Sequence, residues 1–229
     1  MRRLNDVPKI ARLKRDAHKG DCGRVLIVAG SLRMSGAARL AGWGALRGGA
    51  GLVTIAVPDV IQSIVAAELP CAMTLPLPAK RGVLTASGVD AARELADAVD
   101  VVAVGPGLTT SAAPFLRRFL HGLATPLVLD ADALNILALE PQLLAHTTGT
   151  RVLTPHPGEA QRLLDEAIAD TETERLAAAA ALADRHDAVV ALKGRGTVVC
   201  DGDRYFVCRA GNPGMATGGT GDVLTGVVA

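Results

Sequence analysis

A glycine-rich run at residues 211–222 leads directly into the apolar stretch 223–228 near the end of this 229-residue chain. A glycine-rich turn at the start of a helix directs several backbone N–H groups and the positive end of the helix dipole at one point, where a phosphate or a developing anion can bind. A carboxylate there would repel the anion unless it accepts a proton from the attacking group. The run therefore predicts phosphoryl transfer with Asp222 as general base. The alternative is that Asp222 only caps the helix.

A second candidate phosphate site, Lys193-Gly194-Arg195-Gly196-Thr197, follows a short apolar run. It offers a cation, two flexible glycines, a hydroxyl and a backbone that can approach nucleotide phosphates closely enough to donate N–H bonds. The lysine precedes the glycines, so the order is not that of a P-loop. The same residues could instead form a hairpin turn with a solvated Lys and Arg.

Two prolines flank His156 in the segment 154–159, which ends in Glu159. They restrict the backbone and would hold the imidazole at a strand end, where it could bond a substrate hydroxyl or phosphate. Glu159 could hold a hydrated Mg²⁺. The alternative for Glu159 is a favourable interaction with the dipole of the following helix, which needs no metal.

Further turns carry small or acidic residues. Gly105 and Gly107 remove side chains where a ligand would approach a strand end, and the segment 30–38 does the same at the first strand. Asp130 and Asp132 follow another apolar run, and Asp132 is well placed to be a helix N-cap.

The composition excludes several classes of partner. The chain has 24 basic and 23 acidic residues, for a net charge of +1, so nothing indicates binding to nucleic acid or to an anionic membrane. Aromatic residues make up only 2% of the chain, which argues against base-stacking platforms. We therefore expect the partners to be small molecules.

Four widely spaced cysteines, Cys22, Cys71, Cys200 and Cys208, include no Cys-x-x-Cys pair. They indicate neither a zinc site nor a redox pair, and we expect reduced thiols. The first residues lack the apolar region of a signal peptide, and no run approaches the ~20 apolar residues of a membrane span. We therefore expect a cytoplasmic protein.

Short apolar runs alternate with Ala-rich segments that favour helix. The runs lie at 25–29, 52–57, 101–104, 127–129, 152–153 and 189–192, and the helical segments include 36–47, 88–98 and 172–185. Runs without polar alternation are typical of strands buried on both faces of a parallel sheet, so the predicted class is α/β. The turns after the strands should converge on one ligand crevice. A hairpin of 197–200 and 204–208 should add antiparallel strands at one edge.

No linker or internal repeat divides the chain, so residues 1–229 are predicted to form a single domain. If a helix begins near Asp222, Ala229 lies only about two turns into it. We therefore expect this domain to lack its C-terminal helices.

Seven motifs in order resemble the NAD(P)H-hydrate dehydratase family, a branch of the ribokinase-like superfamily. They lie at 18–31, 49–52, 105–107, 129–135, 154–159, 192–194 and 211–222. The most specific is Gly-Asn-x-x-Met-Ala-x-Gly-Gly-Thr-Gly-Asp, and the resemblance runs from about His18 to Ala229. It implies a three-layer α/β/α fold with a mainly parallel sheet and an antiparallel hairpin at one edge.

The resemblance implies repair of nicotinamide nucleotides. The S epimer of hydrated NADH or NADPH (NADHX or NADPHX) would be phosphorylated on its hydroxyl by ADP or ATP and would then lose phosphate. Asp222 would accept the hydroxyl proton. The substrate would contact Ala37, Gly107, His156 and Asp222; the nucleotide would contact Lys193, Gly194, Arg195, Gly196, Thr197 and Gly221; and the backbone amides of Gly218, Gly219, Thr220 and Gly221 would form the anion hole.

Mg²⁺, held by Glu159 through water, is the expected metal. The resemblance also implies a homo-oligomer, with a homotetramer expected. An NAD(P)H-hydrate epimerase would be the functional partner, as a separate protein or as a part outside this chain. Ribokinase-like kinases usually carry Asn-x-x-Glu where this chain has His156 to Glu159, which favours the dehydratase branch. Two alternatives stay open: a small-alcohol or vitamin kinase of the hydroxyethylthiazole kinase type, and a nucleotide-binding regulator without catalysis.

Overall fold

The apolar runs form the centre of one large sheet in the structure, a computed structural model that describes residues 1–10 and 12–229. The strands are β1 (Arg2–Arg3), β2 (Arg24–Val28), β3 (Leu52–Pro58), β4 (Met73–Leu77), β5 (Ala79–Lys80), β6 (Val83–Leu84), β7 (Val101–Val104), β8 (Leu127–Leu129), β9 (Arg151–Leu153), β10 (Val189–Leu192), β11 (Thr197–Cys200) and β12 (Arg204–Cys208). The helices are α1 (Ser35–Gly48), α2 (Gln62–Glu68), α3 (Val89–Ala96), α4 (Ala113–Leu120), α5 (Asp132–Leu139), α6 (Pro157–Leu164), α7 (Glu172–His186) and α8 (Thr220–Val228). All six predicted runs and all three predicted helices are present.

The sheet order is β1-β12-β11-β10-β9-β8-β7-β2-β3-β4. Strands β10, β9, β8, β7, β2, β3 and β4 are mutually parallel. The hairpin of β11 and β12 joins β10 in antiparallel register, with the bounds that its turn signals predict. The prediction of a mainly parallel sheet with a hairpin at one side is therefore confirmed. Beyond the hairpin, β1 pairs with β12 in parallel, which the sequence did not indicate.

Alternate side chains of the central strands enter two separate cores. In β2, Leu26 and Val28 belong to one apolar cluster, together with Phe115 of α4, while Val25 and Ile27 belong to the other. Helices α3, α4, α5, α6 and α7 contribute buried residues to the first cluster, and α1 and α2 to the second. Because both faces of the sheet are covered, the architecture is three layers, as predicted.

Helix α8 packs against α1 backbone to backbone. A Cβ added at Gly226 would lie 1.9 Å from the carbonyl oxygen of Ala41, and one added at Gly44 would lie 2.2 Å from that of Val223. No side chain larger than hydrogen fits at these two crossing points. The start of α8, which carries Asp222, is therefore held at a fixed place over the sheet.

Candidate functional site

The turns that follow the parallel strands meet at one edge of the sheet, as predicted. The amide of Gly30, after β2, donates to Pro106 O, after β7, at 2.8 Å. The amide of Lys193, after β10, donates to Pro155 O, after β9, also at 2.8 Å. These bonds join neighbouring turns in two pairs at the carboxyl ends of the strands.

The glycine-rich run ends in α8 with Gly219 as N-cap, in the left-handed region at φ +91°. Asp222 is the third residue of the helix, and its carboxylate accepts no hydrogen bond from within residues 1–10 and 12–229. The first backbone bond is from Val223 N to Gly219 O, at 3.0 Å. The geometry therefore does not support the alternative in which Asp222 only caps the helix.

Several amides at this helix start remain without partners. Within residues 1–10 and 12–229, the amides of Gly218, Gly219, Gly221 and Asp222 donate to no backbone or side-chain acceptor. The amide of Thr220 makes a long bond to the carbonyl of Thr217, at 3.4 Å. Unpaired amides at the positive end of a helix dipole suit an anion, so the predicted anion hole has the donors it needs.

Asp130 bonds side chains from two separate parts of the site. Its carboxylate is 1% exposed and receives a 2.6 Å bond from Lys193 Nζ on one oxygen and a 2.6 Å bond from Thr225 Oγ1 on the other. Thr225 lies one turn after Asp222 in α8. Asp130 therefore connects the end of β8, the lysine after β10 and the helix that bears the predicted base. The sequence places Asp130 in a turn beside the predicted crevice without indicating a role for it, and it does not mark Thr225.

The predicted base lies next to these charges. A Cβ added at Gly221 would lie 3.5 Å from Lys193 Nζ and 3.8 Å from Asp130 Oδ2, so the start of α8 approaches the ion pair closely. The pKa of Asp222 is raised above its usual value by burial first, and by the negative charges of Asp130 and Asp132, while Lys193 opposes the shift. A more basic carboxylate is a better proton acceptor near neutral pH.

Lys193 is not the solvated lysine of an ordinary hairpin turn. The loop after β10 is a hairpin turn, with Gly194 at φ +141° and Gly196 at φ +72°, but the lysine side chain is only 18% exposed and paired with Asp130. Arg195 is exposed, and Thr197 Oγ1 donates to Gly194 O at 3.0 Å. The loop therefore presents a fixed ammonium group toward the start of α8.

His156 and Glu159 form a reciprocal cap at the start of α6. His156 Nδ1 accepts the amides of Gly158 at 3.0 Å and Glu159 at 3.3 Å, while Glu159 Oε2 accepts the amide of His156 at 2.8 Å. Because Nδ1 accepts, the neutral imidazole carries its proton on Nε2, which lies 3.5 Å from Glu159 Oε1. The imidazole is half exposed, so its Nε2–H can reach a ligand.

Glu159 is 5% exposed, and its Oε2 lies 3.9 Å from Lys193 Nζ. Its carboxylate thus belongs both to the α6 cap and to the charged cluster around Lys193. The described residues contain no group of three or more His, Cys, Asp or Glu side chains arranged around a common metal position.

Ala37 and Gly107 also meet. Gly107 has φ +67°, and a Cβ added there would lie 2.9 Å from the Cβ of Ala37 in the first turn of α1. The glycine therefore allows the turn after β7 to lie against α1.

Asp132 does not cap α5 as predicted. The N-cap is Ala131, at φ +49°, and Asp132 Oδ2 accepts the amide of Thr109 at 2.8 Å. Asp132 thus links α5 to the turn after β7, a tertiary bond that a local pattern does not reveal.

Comparison with known proteins identifies relatives along nearly the whole chain. The sequence profile described as NAD(P)H-hydrate dehydratase matches residues 25–229. A bifunctional NAD(P)H-hydrate repair enzyme of Moorella thermoacetica is 45% identical over a match that covers 96% of this chain and 42% of that protein. The enzyme of the same description in Escherichia coli is 39% identical over a match that covers 93% of this chain and 39% of that protein. The chain thus spans about two fifths of the length of these curated relatives.

Solved structures show the same relationship. An ADP/ATP-dependent NAD(P)H-hydrate dehydratase of Bacillus subtilis, co-crystallised with ATP and Mg²⁺, matches with a TM-score of 0.77 and 32% identity over 95% of this chain and 74% of that one. A ribokinase-like superfamily protein of Enterococcus faecalis matches with a TM-score of 0.78 and 27% identity. The match covers 96% of this chain and 74% of that one.

A hydroxyethylthiazole kinase of Pyrococcus horikoshii shares only the fold. It matches with a TM-score of 0.51 and 17% identity, over 90% of this chain and 73% of that one. The predicted ribokinase-like fold is therefore confirmed. The profile match and the Bacillus subtilis structure go further than the fold. The chain belongs to the NAD(P)H-hydrate dehydratase family.

Proposed function

We propose that this chain catalyses the nucleotide-dependent dehydration of (6S)-hydrated NADH or NADPH, with ADP or ATP as phosphoryl donor. One observation carries the proposal: Asp222 is a half-buried carboxylate of raised pKa that, among the residues the structure describes, makes no cap bond and lies beside unpaired amides at the start of α8. A proton acceptor next to an anion site is what phosphorylation of a substrate hydroxyl requires. The family supports the choice of substrate.

In the first step, the substrate hydroxyl attacks the terminal phosphorus of the nucleotide while Asp222 accepts its proton. A bond forms between the hydroxyl oxygen and phosphorus, and the bond from phosphorus to the bridging oxygen breaks, which releases AMP from ADP or ADP from ATP. The amides of Gly218, Gly219, Thr220 and Gly221 would donate to the oxygens of the transferring group.

In the second step, the lone pair of the ring nitrogen expels phosphate from the neighbouring carbon. Loss of a proton from the next carbon then restores the dihydropyridine. Water itself is a poor leaving group, so phosphorylation makes the elimination feasible. Ala37 and Gly107 would contact the hydrated nicotinamide nucleotide, and His156 would donate from Nε2, the nitrogen that the α6 cap leaves available.

The nucleotide would bind between the loop 193–197 and the start of α8. Lys193 Nζ carries three donors, of which Asp130 needs one, so the ammonium can also contact a phosphate. The contacts proposed for Gly194, Arg195, Gly196, Thr197 and Gly221 follow from their place beside Lys193. Glu159 offers carboxylate oxygens of the kind Mg²⁺ prefers and would hold it through water. Bound Mg²⁺ would offset negative charge on the phosphates.

Three finer properties belong to this proposal. We propose a cytoplasmic homotetramer that acts on products of an NAD(P)H-hydrate epimerase. The bifunctional description of the curated relatives supports the epimerase partner. No helix in the described part of the chain is long and apolar enough to cross a membrane.

The direct test is to mix the purified protein with hydrated NADH or NADPH, Mg²⁺ and either ADP or ATP, and to follow the recovery of dihydronicotinamide absorbance. Recovery that requires both nucleotide and protein supports the proposal. Accumulation of a stable phosphorylated alcohol would instead identify a kinase, and nucleotide binding without turnover would identify a regulator.

A further inference from the structure

Arg175 is a buried cation that the proposed reaction does not use. It lies in α7, is 6% exposed, and makes no ion pair with a carboxylate in the described ranges of the chain. Its guanidinium donates instead to three carbonyls of one short segment. Nη1 contacts Arg195 O at 2.5 Å, and Nη2 contacts Lys193 O at 3.1 Å and Leu192 O at 3.3 Å.

The loop is shaped to accept this guanidinium. A Cβ added at Gly194 would lie 2.7 Å from Arg175 Nη2, and the glycine has φ +141°, which other residues rarely adopt. The remaining carbonyl, that of Gly194, accepts from Thr197 Oγ1. All four carbonyls from Leu192 to Arg195 are therefore bonded by side chains, three of them by Arg175.

The amides of the same loop are in the opposite situation. Lys193 N donates to Pro155 O, but the amides of Gly194, Arg195 and Gly196 have no acceptor within the described residues. A loop whose carbonyls are bonded by a buried cation and a hydroxyl, and which keeps three N–H groups without a protein acceptor in the described residues, is suited to bind an anion. The buried positive charge further favours a negative ligand.

We propose that Arg175 is the positioning residue of the nucleotide-phosphate loop. It holds the carbonyls of Leu192, Lys193 and Arg195, so that Lys193 and the free amides face the phosphates of the donor nucleotide without Arg175 touching the nucleotide itself. The inference rests on the proposed function only in the identity of the ligand.

The test compares Arg175→Lys and Arg175→Ala with the wild type and with Arg185→Ala. Arg185 is a matched control, because it also lies in α7 and donates to a single carbonyl, that of Leu163, away from the loop. Calorimetry measures the Kd for ADP and for ATP with Mg²⁺, steady-state kinetics separate KM from kcat, and thermal unfolding monitors the fold. Hydrogen exchange of the Lys193 amide, which is bonded to Pro155 O, reports the order of the loop.

We expect Arg175→Ala to weaken nucleotide binding by about tenfold or more, because charge-assisted bonds to the loop are lost. Arg175→Lys should restore part of the affinity, since it keeps the charge but not the fork of donors. The nucleotide KM should rise more than kcat falls, the Lys193 amide should exchange faster, and Arg185→Ala should bind like the wild type.

The proposal is overturned if stable Arg175→Lys and Arg175→Ala proteins bind nucleotide as tightly as the wild type, or if their losses match that of Arg185→Ala. If Arg175→Ala does not fold, Arg175→Lys decides: wild-type affinity and wild-type exchange at Lys193 refute the role. Failure of the proposed function can be distinguished from failure of this inference. In that case the wild type itself would either bind neither ADP nor ATP or fail to turn them over.

Discussion

Lys193 Nζ lies 2.6 Å from Asp130 Oδ1, although the two residues are 63 positions apart. The other oxygen of the same carboxylate accepts from Thr225 of α8. A buried aspartate thus holds both the proposed nucleotide lysine and the helix of the proposed base. A buried carboxylate left without its partner is costly, so this pair should matter for folding as well as for binding.

Asp222→Asn should abolish turnover and leave nucleotide affinity nearly unchanged. The substitution removes the proton acceptor and keeps the backbone amides, and loss of a general base typically costs ~10²–10⁴-fold in rate. Steady-state kinetics and nucleotide calorimetry on the same preparation check both parts. A variant that keeps more than about a tenth of the activity would show that Asp222 is not the base.

Lys193→Ala should raise the nucleotide KM and also lower the melting temperature. The lost phosphate contact is worth roughly 1.5–3 kcal/mol, and Asp130 is left as an unpaired buried charge. The double variant Lys193→Ala/Asp130→Asn separates the two effects, since it should recover stability but not affinity. An unchanged nucleotide KM in a destabilised Lys193→Ala protein would make the lysine purely structural.

The pH dependence of activity should follow Asp222. Its pKa is raised, foremost by burial and next by Asp130, and the base must be ionised to accept a proton. The acid limb of kcat/KM should therefore lie at a higher pH than for an ordinary aspartate, and Asp130→Asn should move it to lower pH. An acid limb that does not respond to Asp130→Asn would argue against this coupling.

The raised pKa of Asp222 should also make the fold less stable as the pH rises, although the same rise in pH activates the base. The folded state favours protonated Asp222, so its stabilising contribution is complete below the unfolded-state pKa and is lost as the pH rises through the folded-state pKa. Asp222→Asn cannot ionise and should be more stable than the wild type at neutral pH, with the difference vanishing in acid. Denaturant unfolding at several pH values measures it.

His186 should make the fold sensitive to mild acid. Burial, with Arg185 and Arg151 nearby, lowers its pKa from 6.5 to about 4, and its Nε2 has no partner in the described part of the structure. Its contribution is present above the unfolded-state pKa and is lost as the pH falls toward about 4. We expect His186→Leu to lose less stability than the wild type as the pH falls over this range, because it has no imidazole to protonate. Equal acid sensitivity in both proteins would contradict the assignment.

Gly226→Ala should impair catalysis although residue 226 lies one turn beyond the base. The new Cβ would meet Ala41 O at 1.9 Å, so α8 must move away from α1 and carry Asp222 with it. Overpacking of this kind typically costs about 1–3 kcal/mol. Val228→Ala is the matched control, because it shortens a partly exposed side chain of the same helix. Comparable kcat values in the two variants would refute the need for close helix packing.

The sequence predicts the centre of the fold better than its edges. The central strands are uninterrupted apolar runs, since both faces are covered, whereas β4 contains Pro76 and the exposed Met73 and carries no such signal. At two residues, β1 is too short to show a pattern.

The site residues also fall into a group that the sequence predicts and a group that it does not. Asp222, His156 and the loop 193–197 are marked by local motifs, and the structure places all of them at the carboxyl edge of the sheet. The roles of Asp130 and Asp132 depend on partners far along the chain, Lys193 and Thr109 respectively. No local pattern encodes such contacts, which arise only when the strand ends converge.

Because α1 and α8 touch through their backbones, Ala37 at the start of one helix and Asp222 at the start of the other belong to a single rigid unit. Asp130 joins the nucleotide lysine to the same unit, because it accepts bonds from both Lys193 and Thr225 of α8. The proposed base, the proposed substrate contact and the proposed phosphate contact would therefore keep their spacing before any ligand binds. Such an arrangement would reduce the rearrangement needed to align the acceptor hydroxyl with the donor phosphate.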